Sequence, residues 1–229
     1  MIQGILPLSL LDYPGKVSAT IFLSGCNLRC GYCHNPELIH PDPERSLPVS
    51  AVELLLEERK NFLDGICIGG GEPTLYPDLL EELIHLAKHY NLSVKIDTNG
   101  TKPEVLRKLL SLGIDYIAMD IKAPLNLYNK VGGKGFSQAI AESIDIIKSI
   151  RDKGELRHTL VPEFLTTAEL KRMAEEIKGV SLFALQGYRH KKTLDPNFHP
   201  RRDTTKQELI EAKEIFAPYV ERIVIRGGI

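Results

Sequence analysis

Three of the four cysteines in this 229-residue chain, Cys26, Cys30 and Cys33, lie close together in one short stretch. Each can supply a soft thiolate, the preferred ligand of iron–sulfur centres. Three thiolates hold three of the four irons of a [4Fe–4S] cluster and leave the fourth iron open to another ligand. Two other readings compete from the loop alone. His34, next to Cys33, could complete a zinc site. The three cysteines could also be small buried apolar side chains on one helical face. Gly25, Asn27 and Gly31 weaken a helix there, however, and Pro36 would break it. A loop wrapped around a cluster fits best, with zinc and inert cysteines as the alternatives.

Three more groups of residues have chemistry to offer. Gly69, Gly70 and Gly71, followed by Glu72 and Pro73, put bare backbone where a ligand can approach. No Lys-Ser/Thr ending follows them, so they are not a phosphate loop. Asp97, two residues before Asn99 and Gly100, has a carboxylate suited to a sugar diol. Asp120, Lys122 and Arg157 bring one carboxylate and two cations, and the cations suit a ligand carboxylate. Each also has a bland reading. The glycines could be a flexible turn and Asp97 part of another turn. Asp120 and Lys122 could pair with each other, and Arg157 could be a surface charge. Cys67 reads as a buried inert thiol, His34 as a neighbour of the centre and Gln186 as a residue near its mouth. Arg189 to Lys192 with Arg201 and Arg202 read as a solvated basic loop. Arg226 and the two glycines after it read as the end of the last strand.

The elements that must position these groups alternate. Strands are expected at Val17 to Leu23, Gly65 to Ile68, Ser93 to Ile96, Tyr116 to Ile121, Leu156 to Val161, Val180 to Leu185 and Arg222 to Ile225. Helices are expected between them. They run from Val49 to Asn61, along Leu79, Leu83, Leu86 and Tyr90, and from Pro103 to Leu112. Three more follow Phe136 to Ile150, Leu170 to Ile177 and Leu209 to Phe216. Gly113, Gly154 and Gly179 read as helix stops. Ile2 to Leu6 is short and apolar, and Tyr13 to Lys16 is a tight turn. Alternation of this kind implies parallel strands joined by right-handed crossovers. With about six βα units, an open (β/α)6 barrel fits better than an eight-unit barrel, which needs about 250 residues. The candidate residues then follow strands, where such folds place their chemistry.

Composition sets the outer limits. Hydrophobic residues make up 43% and charged residues 26% of the chain, as in an ordinary globular protein. One domain, residues 1–229, is expected. Lys plus Arg number 29 and Asp plus Glu 30, a net charge of −1 that argues against general nucleic-acid binding. Met1 to Leu11 is apolar but lacks a basic start, and no stretch approaches a membrane span. A reducing cytoplasm is the expected setting, where close cysteines suggest metal more than disulfides.

Cys-x3-Cys-x2-Cys followed one βα unit later by Gly-Gly-Glu-Pro resembles the radical S-adenosylmethionine (SAM) enzymes. With His34-Asn35-Pro36, Asp97-Thr98-Asn99-Gly100, Asp120-Ile121-Lys122 and Arg157, the chain is most similar to the glycyl-radical-enzyme activating enzymes. Within them it resembles the activators of anaerobic ribonucleoside-triphosphate reductase. The resemblance runs along nearly the whole chain. It implies an oxidoreductase with one [4Fe–4S] cluster on Cys26, Cys30 and Cys33 and SAM at the open iron. Tyr32 would lie near the adenine. Gly70, Gly71 and Glu72 would meet the SAM amino group, Asp97 the ribose, and Asp120, Lys122 and Arg157 the methionine end, with Asn99 a further cofactor-binding residue. A 5′-deoxyadenosyl radical would take a hydrogen atom from a glycine of a partner enzyme, with flavodoxin or ferredoxin as electron donor. Four cysteines leave no thiols for a second such cluster. Two rivals stay open: a small-molecule radical SAM enzyme like the 7-carboxy-7-deazaguanine synthases, and a non-catalytic zinc or iron–sulfur protein.

Overall fold

The structure is a computed structural model and describes residues 1–190 and 192–227. Lys191 of the basic loop and Gly228 of the C-terminal glycine pair lie outside the described residues, as does Ile229. Eight strands are β1 (Ile2–Ser9), β2 (Ser18–Leu23), β3 (Gly65–Gly70), β4 (Ser93–Thr98), β5 (Tyr116–Asp120), β6 (Gly154–Leu160), β7 (Leu182–Gly187) and β8 (Arg222–Arg226). Among the described residues the α-helices are α1 (Val49–Arg59), α2 (Pro77–His89), α3 (Pro103–Ser111), α4 (Ser137–Ile150), α5 (Thr167–Glu176) and α6 (Lys206–Phe216). One helix stands between each pair of strands from β2 to β8. The strand order runs from β1 to β8 without returning to its start. The expected open α/β architecture is therefore observed.

The chain forms two compact units. The first comprises Met1–Cys26, Glu37–Thr98 and Glu104–Ile117. In it, β1 pairs antiparallel with β2, and β2, β3 and β4 pair in parallel. Ile21, Leu23, Ile66, Ile68, Val94 and Ile96 are fully buried, as are Leu56 from α1 and Leu80, Leu83 and Ile84 from α2. The continuous apolar runs of β2 and β3 follow from parallel strands buried on both faces. Pro77 opens α2 and Pro103 opens α3, where a missing N–H costs nothing. Gly113 follows α3 at φ +79, the left-handed conformation of a helix stop.

The second unit comprises Asn27–Pro36, Asn99–Pro103 and the chain from Ala118 onward. There β6, β7 and β8 pair in parallel. Phe183 of β7 packs on Phe216 of α6 with ring centres 4.6 Å apart. Helices α5 and α6 each open with a capping box, Thr166 with Glu169 and Thr205 with Glu208.

Three details depart from the sequence expectations. The apolar start is a full strand, β1. Gly154 does not stop α4; Arg151, at φ +48, follows that helix, and Gly154 is the first residue of β6. Gly69 and Gly70 belong to β3 rather than following it. Among the described residues no helix is long and apolar enough to cross a membrane.

Candidate functional site

The first unit carries Cys26, the glycines and Asp97. The β2–β3 ladder runs in register up to Leu23 and Gly70. Beyond it, Gly71 N–H donates to the Leu23 carbonyl at 2.8 Å and Glu72 N–H to the Gly25 carbonyl at 2.6 Å. Gly70 sits at φ +120, and a Cβ there would strike the Leu23 carbonyl; a Cβ on Gly71 would strike the Gly25 carbonyl. These glycines let one chain lie backbone to backbone against the stem that leads into Cys26. The Cys26 N–H itself donates to the Ile39 carbonyl at 3.2 Å.

Glu72 is fully buried. Its Oε1 accepts from the Thr74 amide at 3.1 Å, from the Thr74 hydroxyl and from the Thr98 hydroxyl at 2.7 Å. The side chain thus caps the short turn Pro73–Leu75 and ties it to the end of β4. Asp97, next to last in β4, is 25% exposed and ion-pairs through Oδ1 with Lys95. Lys95 was not among the sequence candidates.

The second unit carries Cys30, Tyr32, Cys33, Asn99, Asp120, Lys122 and Arg157. Cys33 N–H donates to the Cys30 carbonyl at 3.0 Å and closes a tight turn. Asn99 is buried, donates to Asn27 Oδ1 at 2.9 Å and accepts the Thr101 amide at 3.0 Å. Asn27 in turn donates to the Thr101 hydroxyl at 2.7 Å. Asn99 therefore braces the segment that follows Cys26. Tyr32 is buried against Phe164 and Phe198, with ring centres 5.4 and 6.0 Å away. Burial, with Cys30 alongside, pushes its hydroxyl pKa well above the usual tyrosine value.

Asp120 accepts from Arg157 Nε at 2.8 Å and from Lys122 Nζ at 3.2 Å. Burial alone would raise the Asp120 carboxyl, but the Arg157 and Lys122 cations outweigh it and hold it well below the usual range. Burial would likewise lower the Lys122 pKa; Asp120, Cys30 and Tyr32 outweigh it and raise it. Lys122 is thus held as a cation. Its backbone N–H rests on the Tyr128 hydroxyl at 3.3 Å. Asp120 ends β5, Lys122 follows it and Arg157 lies midway along β6, so two cations flank one carboxylate, an arrangement that suits an anionic group.

The remaining candidates have structural partners. His34 stacks on Tyr188 at 5.4 Å, and its Nε2 donates to the Arg189 carbonyl at 2.9 Å. Gln186 donates to the Thr159 hydroxyl at 2.7 Å. Asp203 engages Arg189 and His190, and Glu208 engages Arg202, so these residues of the basic loop carry counter-charges. Arg226 forms a two-pronged pair with the buried Glu155 of β6. Sequence reading missed the supports Asn27, Thr101, Tyr128, Phe164 and Phe198, because short polar and aromatic residues in loops carry no pattern that foretells their partners.

All four cysteines are thiols. Among the described residues no group of three His, Cys, Asp or Glu is gathered as a metal site. The fit to a cluster therefore rests on the donor set: three soft thiols on one loop and the turn between Cys30 and Cys33.

A family model for the radical SAM superfamily matches residues 20–177. A protein of Methanocaldococcus jannaschii that bears the name of a glycyl-radical enzyme activating enzyme is 35% identical over 99% of this chain and 95% of its own. The pyruvate formate-lyase-activating enzyme of Clostridium pasteurianum is 29% identical over 78% of this chain and 76% of its own. A domain of the pyruvate formate-lyase-activating enzyme of Bacteroides vulgatus superposes on 71% of this chain and 99% of its own, with a TM-score of 0.55 at 17% identity. That last likeness is one of fold.

Proposed function

The chain belongs to the radical SAM superfamily, and from that premise we propose that it activates a glycyl-radical enzyme, with anaerobic ribonucleoside-triphosphate reductase as the partner. Cys26, Cys30 and Cys33 would hold one [4Fe–4S] cluster. With SAM bound, that cluster supplies one electron to break a sulfonium bond, the chemistry needed to draw a hydrogen atom from a glycine. A flavodoxin or ferredoxin would deliver the electron.

The chain's own residues divide the work of holding SAM. Lys122 and Arg157 outnumber Asp120 in charge and favour a carboxylate, the anionic end of methionine. Asp97 accepts hydrogen bonds from the ribose diol. Gly70 and Gly71 bring backbone to the amino group, while Glu72 fixes the turn that follows. Tyr32 lines the adenine side from its aromatic cluster, and Asn99 keeps the loop in place from below. The observation that carries the cofactor half of this reading is the three-cysteine loop, closed by the Cys33 N–H on the Cys30 carbonyl and lying within the residues that the radical SAM family model matches. A glycyl-radical enzyme as partner is supported by the relative named as an activating enzyme over 99% of this chain, and the choice of the reductase rests on the motif resemblance.

The test is anaerobic. Reconstituted, reduced protein is mixed with SAM and anaerobic ribonucleotide reductase, and electron paramagnetic resonance is recorded. A glycyl doublet on the reductase is expected. SAM cleavage without a glycyl signal on any candidate glycyl-radical enzyme would end the activator reading. No SAM cleavage at all would end the enzyme reading.

A further inference from the structure

Lys95 occupies an unusual place for a lysine. It sits in the middle of β4 with its side chain 1% exposed. A buried ammonium ion costs several kcal/mol unless a partner compensates it. Its Nζ pairs with Asp97 Oδ1, two residues further along the same face of the strand, and donates to Cys67 Sγ at 3.4 Å on β3. Cys67 is the direct register partner of Lys95 across the parallel ladder and is itself fully buried. Asp97 differs from both: a quarter of its side chain reaches the surface at the C-terminal end of β4. Gly69, the residue two beyond Cys67, presents no side chain beside it; a Cβ there would stand 3.4 Å from Asp97 Cβ. The row therefore runs from a buried sulfur, through a buried cation, to a carboxylate at the strand end.

We propose that Lys95 is a positioning residue that holds the Asp97 carboxylate in one orientation for a vicinal diol, with Cys67 as the second anchor of its ammonium group. This inference rests on the reading of Asp97 as the ribose acceptor. A lone carboxylate on a strand end rotates about χ2 and is hydrated, so a diol must compete with water for it. An ammonium fixed from behind directs one oxygen inward and presents the other side of the group outward. The carboxylate is then preorganised, and its charge-assisted bonds to hydroxyls form without loss of rotamer freedom. Lysine supplies this role because its single charge lies at the end of a stem that fills the strand interior.

The test measures binding, in anaerobic equilibrium dialysis of the reconstituted protein against SAM and against its 2′-deoxy and 3′-deoxy ribose analogues. The native protein is expected to prefer SAM over at least one deoxy analogue by about tenfold, the worth of one charge-assisted hydrogen bond. Lys95→Met is expected to keep its fold and lose most of that preference, while binding the deoxy analogue as the native protein does. A merely structural lysine would weaken SAM and analogue alike. If Lys95→Met retains the preference and Asp97→Asn loses it, the inference on Lys95 is overturned and the ribose role of Asp97 stands. If Asp97→Asn retains it too, the ribose reading itself fails, and the inference with it. Should Lys95→Met not fold, Lys95→Leu, which likewise offers no donor to Asp97, is read in the same way.

Discussion

Asp120 lies between two cations, so the members of this trio respond differently to substitution. Lys122→Met leaves the Asp120–Arg157 pair intact and removes the excess positive charge. SAM affinity is expected to fall about tenfold or more with little change in melting temperature, and dialysis beside thermal denaturation reads both. Asp120→Asn leaves two neighbouring cations without their carboxylate. It is expected to cost about 1–3 kcal/mol of stability as well as affinity, which chemical denaturation of the apo-protein measures. The sequence made Asp120 and Lys122 legible because they end and follow an apolar strand, and Arg157 because it is a lone cation within one. It concealed the Lys95–Asp97 pair, because a lysine in a strand ordinarily marks a solvent face. Glu72 was legible as part of a motif, but not as a buried cap held by Thr74 and Thr98.

At the scale of elements, the meeting of β2 and β3 decides how the cysteine loop begins. Gly71→Ala would drive a Cβ into the Gly25 carbonyl, and backbone cannot swing aside as a side chain can. A loss of about 1–3 kcal/mol is expected, together with iron incorporation below that of the native protein under equal reconstitution. Iron and labile sulfide assays, paired with denaturation, would check this; normal stability with normal iron content would show the stem tolerates the added carbon. The strands and helices from β2 onward were readable because apolar periodicity marks them, with proline at the start of α2 and α3 and glycine after α3 agreeing. β1 escaped because Gly4 and Pro7 interrupt its pattern, and because its pairing with β2 comes from tertiary structure. The helical run Leu125–Val131 was missed because it is only seven residues long and its two buried anchors, Tyr128 and Val131, give a single helical interval, too little to establish a period.

At the scale of the whole molecule, one buried histidine should leave a mark on acid stability. His158 is 2% exposed, and its Nδ1–H donates to the Ile121 carbonyl at 2.9 Å. Burial, with Lys122 nearby, pushes its pKa down from 6.5 to about 4, against the opposing pull of that carbonyl and Asp120. The unfolded chain therefore binds a proton that the folded chain refuses between those values. The stability linked to a neutral His158 is complete above pH 6.5 and drains away as pH falls toward 4. The shift corresponds to about 3 kcal/mol. Urea denaturation of apo-protein across this range should show the slope, and His158→Asn should flatten it; an unchanged slope would remove His158 from the account. The α/β class was legible from alternation alone, whereas the two compact units were not, since their boundaries cut through the cysteine loop and β5 rather than through any linker. Within the second unit, Asp195 N–H donates to the Gly31 carbonyl at 3.0 Å, and Phe198 fills the space a side chain on Gly31 would need. That amide is a built-in reporter: its deuterium uptake rises whenever the cysteine turn opens, so metal loading can be followed in a protein with no turnover and no colour.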